Sequence, residues 1–540
     1  MIASTLFRRP QLLLKKLPAS AIGWLALLNV SLLLPNVVAE TSASVAENPK
    51  AVVRELQNAT VRIETPQNRS SGVIVSTAGY VLTVAHGLRA NESKIIVLHQ
   101  TQSFTAKLIV HDADRDVALL KIERGDPTAA FPVVLSLSTN ESERLQNGQP
   151  LIATGFPARE DDPPGPVVRL GAMAAKSKRF IRSSCVLTAG DSGGPVVTQN
   201  GSLVGINARI GTEANTNLHI PMPVIRRALA ASRFRITESL ERVSPRDKRG
   251  IPQPVLTALK NLQVHLTTPD GDDLCGGCRI SNVVIAAKLS ELDGRELRCR
   301  MGSTLLPVQV IHSNRQCDIA LLKASHEQLP RLSGVALRET ALDVGELVYS
   351  DDTQASIVSR LEYTQAPATA ALGCSLEIID SELIVERVVA NSACADAGLA
   401  AGDRLLEFCG RECQSLDDVG RLLSNRQPGD MVRFVVKRNQ MPHQGLGRLR
   451  HQADSLLDRS EFLDGRAGIL SSRRTGFERV IQHDSHLSIN LIAGPLVDAA
   501  GRLVGVNIAR RSRESVLAVP IEDVFGLLKK TSAPDDTIQH

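Results

Sequence analysis

Thr188-Ala-Gly-Asp-Ser-Gly-Gly-Pro-Val-Val197 sets a serine between glycines at the head of an apolar run. Glycine tolerates the sharp backbone turn that lets two N–H groups point into one space. With Ser192 as nucleophile, the N–H groups of Gly190 and Ser192 would form an oxyanion hole around a tetrahedral intermediate. A serine hydroxyl is a weak nucleophile alone, so this chemistry demands a base and a group to orient it. Both types lie upstream. Val81-Leu-Thr-Val-Ala-His86 is an apolar run ending in an imidazole, and Asp112-Ala-Asp-Arg-Asp116 precedes another, Val117-Ala-Leu-Leu-Lys121. The order His86, Asp, Ser192 is one of the convergent orders of the catalytic triad. Asp112, Asp114 and Asp116 compete for the middle place. Taken singly, a histidine after an apolar run is more often structural, and Gly-Asp-Ser-Gly is a common turn. Three motifs in order carry the reading.

Short β-strands must hold these residues. Ala59-Thr-Val-Arg-Ile63, Gly72-Val-Ile-Val75, Tyr80-Val-Leu-Thr-Val84, Lys94-Ile-Ile-Val-Leu98 and Val117-Ala-Leu-Leu-Lys-Ile122 form a first group. Leu151-Ile-Ala-Thr154 and Leu203-Val-Gly-Ile-Asn207 belong to a second. Short apolar strands between turn residues predict a mainly β protein built of barrels or sandwiches. A closing helix is expected near Ile220-Pro-Met-Pro-Val-Ile, with Pro223 in its first turn.

The run Ser71-Gly-Val-Ile-Val-Ser-Thr-Ala-Gly-Tyr-Val-Leu-Thr-Val-Ala-His86, with Asp116-Val-Ala-Leu-Leu-Lys121 and Gly190-Asp-Ser-Gly-Gly-Pro195, resembles a trypsin-like serine protease. The HtrA/Deg type is the most similar. The resemblance covers roughly residues 51–235 and departs at Asp191, where that type usually carries Asn. It implies a chymotrypsin-like pair of six-stranded barrels with the site between them, His86 and Asp116 in the first and Ser192 in the second. It also implies that Val186, six residues before the serine, floors the specificity pocket. A buried cation there would lack a partner, so an aliphatic residue is expected before the scissile bond.

The chain then begins again. Asp318-Ile-Ala-Leu-Leu-Lys323 and Val283-Val-Ile-Ala-Ala-Lys288 repeat the aspartate and histidine motifs, both at an offset of 202. Gly494-Pro-Leu-Val497 and Gly501-Arg-Leu-Val-Gly-Val-Asn507 repeat the segments around and after the serine at an offset of 300. Repetition on this scale predicts a second protease-like domain. That copy is chemically degenerate, with Lys288 in the place of His86 and Ile492 in the place of Ser192. The repeat keeps an acid only at the place of Asp116, which favours Asp116 over its neighbours.

The growth in offset leaves 98 extra residues between the aspartate and serine places of the copy. Leu372-Gly-Cys-Ser-Leu376 and Ala397-Gly-Leu-Ala-Ala-Gly-Asp-Arg-Leu-Leu406 within them resemble a PDZ domain, with Leu416-Asp-Asp-Val-Gly-Arg-Leu-Leu423 as its groove helix. The resemblance implies β-strand addition of a C-terminal or unfolded peptide. Its carboxylate would lie against Leu372, Gly373, Cys374, Ser375 and Leu376. The alternative for this module is a spacer.

Residues 1–39 read as a secretory signal: Arg8, Arg9, Lys15 and Lys16 precede an apolar stretch, and Val37-Val-Ala39 offers a cleavage site. Left uncleaved, the same segment is a membrane anchor. The chain is thus expected to be exported, periplasmic or secreted. Its domains are placed at 51–239 for the protease, 254–366 and 441–530 for the two parts of the degenerate copy, and 367–440 for the PDZ. Linkers fall at 40–50 and 240–253, with a tail at 531–540. The formal charge of +5 comes largely from the four basic leader residues, so no nucleic-acid partner is indicated. No cofactor motif is present. Cys275-Gly-Gly-Cys278 with Cys299 and Cys317 is read as buried thiols or disulfides rather than a zinc site, so no metal is called. The resemblance implies protein or peptide substrates and a homo-oligomer. The competing reading is a peptide-binding scaffold that kept the fold and lost the chemistry, against which the complete triad of the first copy speaks.

Overall fold

In the computed structural model, described residues run from 49 to 531 except 124–130, 132–135, 138, 159–164, 212–215, 233–250, 293–295, 302–303, 325–330, 333–335, 339, 366 and 452–468. The signal at 1–39 therefore lies outside them, as do most of both linkers and of the tail. Among the described residues no helix is long and apolar enough to cross a membrane.

Strands dominate, because the sequence supplies short runs of β-branched residues between turn formers. The first closed barrel has the order Thr60–Glu64, Arg69–Ile74, Tyr80–Thr83, Val117–Ile122, Gln102–Asp112, Ile95–His99. The second follows the order Pro195–Thr198, Pro150–Gly155, Val167–Lys176, Ile181–Ser183, Asn217–Pro221, Ser202–Arg209, and pairing of the first with the last closes it. A short seventh strand, Ser136–Leu137, adds outside this ring. The closing helix is Met222–Ala231, with proline in its first turn.

Both barrels recur in the second half. Gln263–Thr267, Asp273–Arg279, Val284–Lys288, Ile319–Ala324, Thr304–Asn314 and Leu297–Met301 form a barrel in the order of the first. Leu347–Tyr349, Ser356–Tyr363, Val480–His483, Ser515–Pro520, Leu503–Ser512 and Pro495–Asp498 form another. The repeat extends to an unusual backbone feature. Asp116 and Asp318 both adopt a left-handed conformation, at φ of 59° and 58°, a region few non-glycine residues enter, aspartate more readily than most.

The PDZ module interrupts the hairpin between Ser356–Tyr363 and Val480–His483. It hangs on a two-stranded stem in which Ala370 faces His451 and Ala371 faces Arg450. Its main sheet runs Cys374–Ile379, Glu382–Val388, Arg404–Phe408, Met431–Arg438, Met441–Arg448, with its own core around Phe408, Phe434 and Val385. The sheet thus continues past the boundary placed at 440, because Met441–Arg448 pairs residue for residue with Met431–Arg438.

The two halves share a core. Ile357 of the second half is fully buried among Val53, Leu56, Val168 and Val197 of the first, with Val344 packed against them. The helix Lys50–Ala59 is held to the second half by Lys50, whose ammonium lies 2.8 Å from Asp343 and 2.5 Å from Glu346.

Candidate active site

His86 sits in the 3-10 turn Ala85–Gly87 that ends the strand Tyr80–Thr83. Asp116 precedes the strand Val117–Ile122, paired antiparallel to it. The left-handed turn at Asp116 aims its carboxylate at the imidazole, where His86 Nδ1 lies 2.8 Å from Oδ2 and 3.0 Å from Oδ1. The backbone N–H of His86 donates to the same carboxylate at 2.9 Å. With Nδ1–H committed to a carboxylate, the neutral ring offers Nε2 as its basic nitrogen. Asp112 instead accepts from Arg115, both from the guanidinium and from the backbone N–H. Asp114 contributes its backbone carbonyl to Arg179 at 2.8 Å.

Ser192 belongs to the turn 188–194 that leads into the strand Pro195–Thr198. Gly190 adopts φ 93°, and a Cβ there would come within 2.3 Å of the Phe156 carbonyl oxygen, so only glycine fits. The first barrel stitches this turn down. Ser71 N–H donates to Ser192 O at 2.8 Å, and Ser71 Oγ donates to Gly190 O at 2.7 Å. Among the described residues, no backbone carbonyl accepts a hydrogen bond from the N–H of Gly190 or Ser192. Ser192 Oγ donates to Ala208 O at 3.4 Å rather than to His86. Val186 is buried at 2% exposure between the strand Ile181–Ser183 and the turn.

Sequence reading missed what surrounds Asp191. This residue is fully buried, accepts from Thr188 N–H at 2.8 Å, and pairs with the fully buried Arg169 at 2.9 Å. Removing one member of such a pair strands the other charge, at a cost of about 3–5 kcal/mol. An arginine inside the apolar run Val167-Val-Arg-Leu170 was the available signal. Asp484, from the second half, sits close by. Its carboxylate accepts from Leu170 N–H, the residue after Arg169, and from Ile357 N–H at 2.7 Å. Burial pushes the Asp484 carboxyl up to about 7, against the opposing effects of these N–H donors and of Arg169.

The equivalent places in the copy are closed. Lys288 Nζ donates to Asp318 at 2.5 Å and to Arg473 O at 3.0 Å, with all three groups buried. The turn that would carry an oxyanion hole is the 3-10 segment Ile489–Leu491, and Ile492 is buried at 1% exposure. All nine cysteines are free thiols, and among the described residues no His, Cys, Asp and Glu side chains group to hold a metal.

In the PDZ module, Cys374–Ile379 is an edge strand, hydrogen-bonded within its sheet to Glu382–Val388 alone. Gly373, at φ 72°, turns the chain into it, and Leu372 is buried. Ile378, Ile379 and the helix residue Leu416 are exposed at 54%, 45% and 46%. The helix Leu416–Ser424 opens with a full capping box between Ser415 and Asp418.

The trypsin-like peptidase domain family matches residues 70–206, a span that contains His86, Asp116 and Ser192, and the PDZ domain family matches residues 370–444. The chain is a serine protease with a trypsin-like peptidase domain and a PDZ domain. The protease is 24% identical to a "Probable periplasmic serine endoprotease DegP-like" of Chlamydia trachomatis, over 68% of this chain and 74% of that one. It is 33% identical to a protein of the same name from Ectopseudomonas mendocina, over 29% of this chain and 34% of the relative. A crystal structure of the serine endoprotease from Yersinia pestis aligns with 75% of the protease and 97% of its own chain, at 17% identity and a TM-score of 0.30. The protease also has a cavity of about 330 Å³ beside His86 and Asp116, edged by Arg115, Arg179, Arg209 and Arg227.

Proposed function

We propose that this chain is an exported, periplasmic serine endopeptidase that cleaves proteins or unfolded polypeptides through an acyl-enzyme on Ser192. The name "periplasmic" borne by its relatives supports the location. The carrying observation is the His86–Asp116 pair at 2.8 Å on the first barrel, together with the Ser192 turn that Ser71 of the same barrel holds by two hydrogen bonds. Ser192 Oγ attacks the scissile carbonyl carbon, its proton passes to His86 Nε2, and the carbonyl oxygen takes the negative charge between the two N–H groups. His86 then gives the proton to the leaving amine, and a water repeats the sequence on the acyl-enzyme. Productive geometry asks the Ser192 hydroxyl to exchange the Ala208 carbonyl for His86, and catalytic hydrogen bonds of this kind commonly tighten only when substrate binds. A fluorophosphonate probe tests the reading directly. Stoichiometric labelling of Ser192 is expected, and a protein that resists the label while folded is not this enzyme.

Two expectations concern the substrate. Val186 brings no carboxylate to a buried cation, so peptides with Val, Ala or Leu before the cut outcompete those with Arg or Lys. Profiling cut sites in a denatured protein mixture checks this, and a preference for Lys and Arg refutes it. Arg179 and Arg209 both lie over the Phe180 ring, 5.9 Å from its centroid, at the edge of the cavity beside His86. Acidic residues flanking the scissile bond fit this rim. Changing Arg209→Glu is expected to reduce kcat/KM for such peptides roughly two- to fivefold, the scale of exposed ion pairs, with uncharged peptides unaffected.

The PDZ edge strand is read as a site for β-strand addition by C-terminal or unfolded segments of substrate, which raises their concentration near Ser192. Isothermal titration with peptides carrying free or amidated C-termini tests it, and equal affinity for both discounts carboxylate capture at 372–376. Assembly into a homo-oligomer remains part of the proposal through the HtrA/Deg resemblance, and sedimentation of the mature chain measures it.

A further inference from the structure

The half of the strand Val167–Lys176 nearest Arg169 has an open edge. It pairs with Pro150–Gly155 on one side, but its other neighbour, Ile181–Ser183, reaches only Met173 to Lys176. Backbone N–H and C=O groups left in this way need partners. The degenerate copy supplies them. Ser359 Oγ donates to Val168 O at 2.5 Å, the Arg360 guanidinium donates to Gly165 O at 2.6 Å, and Asp484 accepts from Leu170 N–H. The residue these three contacts bracket is Arg169. Its guanidinium pairs with Asp191, which stands between the two oxyanion-hole residues, Gly190 and Ser192. Arg169 also donates to Val167 O at 3.1 Å, so its position follows that of the strand.

We propose that the degenerate copy is a built-in activator of the catalytic one: by clamping the strand Val167–Lys176 it fixes Arg169, and Arg169 holds Asp191 and the oxyanion turn in catalytic form. This rests on the reading of Ser192 as the nucleophile. Arg169, Ser359 and Asp484 are positioning residues, acting through the backbone and through Asp191 rather than on substrate. A fold that has lost its own triad thereby keeps a use, because the clamp needs only an intact barrel wall carrying Ser359, Arg360 and Asp484.

The test uses the full mature chain, a short chromogenic peptide and the rate of fluorophosphonate labelling, with thermal melting and near-ultraviolet circular dichroism as folding controls. Arg169→Met is expected to lower kcat and labelling about 100- to 1,000-fold, the loss that follows removal of an oxyanion donor. Adding Asp191→Asn removes the stranded charge and is expected to recover at least about tenfold of that loss, the signature of directly coupled residues. Should Arg169→Met not fold, Arg169→Lys replaces it, with kcat expected between wild type and background. Asp484→Asn and Ser359→Ala, at residues given no contact with substrate, are each expected to lower kcat about three- to tenfold, with KM little changed. Wild-type kcat in both of these folded variants, or a double variant no faster than Arg169→Met, overturns the activator role. A wild-type chain that hydrolyses nothing and takes no label fails at the protease reading itself, and the activator role falls with it.

Discussion

Alanine at Ser192 abolishes peptide-bond hydrolysis and leaves the melting transition in place. The change removes one partly buried hydroxyl whose described hydrogen bond, to Ala208 O, is long at 3.4 Å, so little packing is lost. The chemistry loses its nucleophile. His86→Ala is expected to fall as far, roughly 10⁴- to 10⁶-fold in kcat, because triad members act as a unit and their losses do not add. Asp116→Asn is the informative third member. It preserves shape but exchanges a charge for an amide, so the ring loses the partner that fixes its tautomer, and a drop of about 10⁴-fold is expected. Steady-state kinetics on a short peptide, with a purification control for contaminating proteases, measures all three. Activity above that control in the Ser192 or His86 variant would remove the assignment.

The second large effect concerns what is deleted. A chain ending before 253 is expected to aggregate or melt far below the intact protein, and to lose hydrolysis of short peptides along with that of large substrates. A second half that only delivered substrate would leave short-peptide hydrolysis intact, but the packing argues against so mild an outcome. Ile357 is fully buried in the core that also holds Val53, Leu56 and Val168, and truncation empties its place. A buried Ile removed to nothing costs about 2–5 kcal/mol through lost transfer and cavity terms, and Lys50, Val168 O and Leu170 N–H lose partners besides. Excising only residues 372–449 and joining Ala371 to Arg450 through an Asn-Gly turn is a different experiment. The stem strands already face one another there, and such a turn suits antiparallel strands. This variant is expected to keep short-peptide kcat and to lose turnover of unfolded proteins. Equal loss on both substrate types in the excised chain counts against the PDZ as a delivery site.

Much of this architecture was legible because the chemistry and the repeats use rigid motifs. Val117–Ile122 stands within its expected bounds, since an apolar run between an acidic turn and a charged residue leaves little freedom. The duplication could be traced through Asp116 and Asp318, which share even their backbone conformation. Other parts left weak traces. Gln102–Asp112 was overlooked because it buries only Ala106 and Val110 along its length. Met441–Arg448 carries a proline and two glycines and is mostly exposed, so the PDZ sheet was ended one strand early. The helix Lys50–Ala59 was hidden for another reason: its apolar face is narrow, burying Val53, Leu56 and Ala59. At the site, three motifs flagged His86, Asp116 and Ser192, but no local pattern joins Arg169 to Asp191 or Asp484 to Leu170 N–H. Those pairings span 22 and 314 residues, and only tertiary contact defines them.

The two-stranded stem bears on how such a molecule could change over time. Ala371 and Arg450 face each other as neighbours in an antiparallel pair, a separation of about 5 Å. A module entering and leaving through one gap of that width makes a modest topological demand on its host: the surrounding hairpin closes whether the gap holds two residues or a whole domain. Recombination can therefore exchange the cargo while the cutting half and its clamp stay as they are. Lineages built on this plan are free to diversify in what they sense by replacing a cassette, without retuning the machinery that cuts.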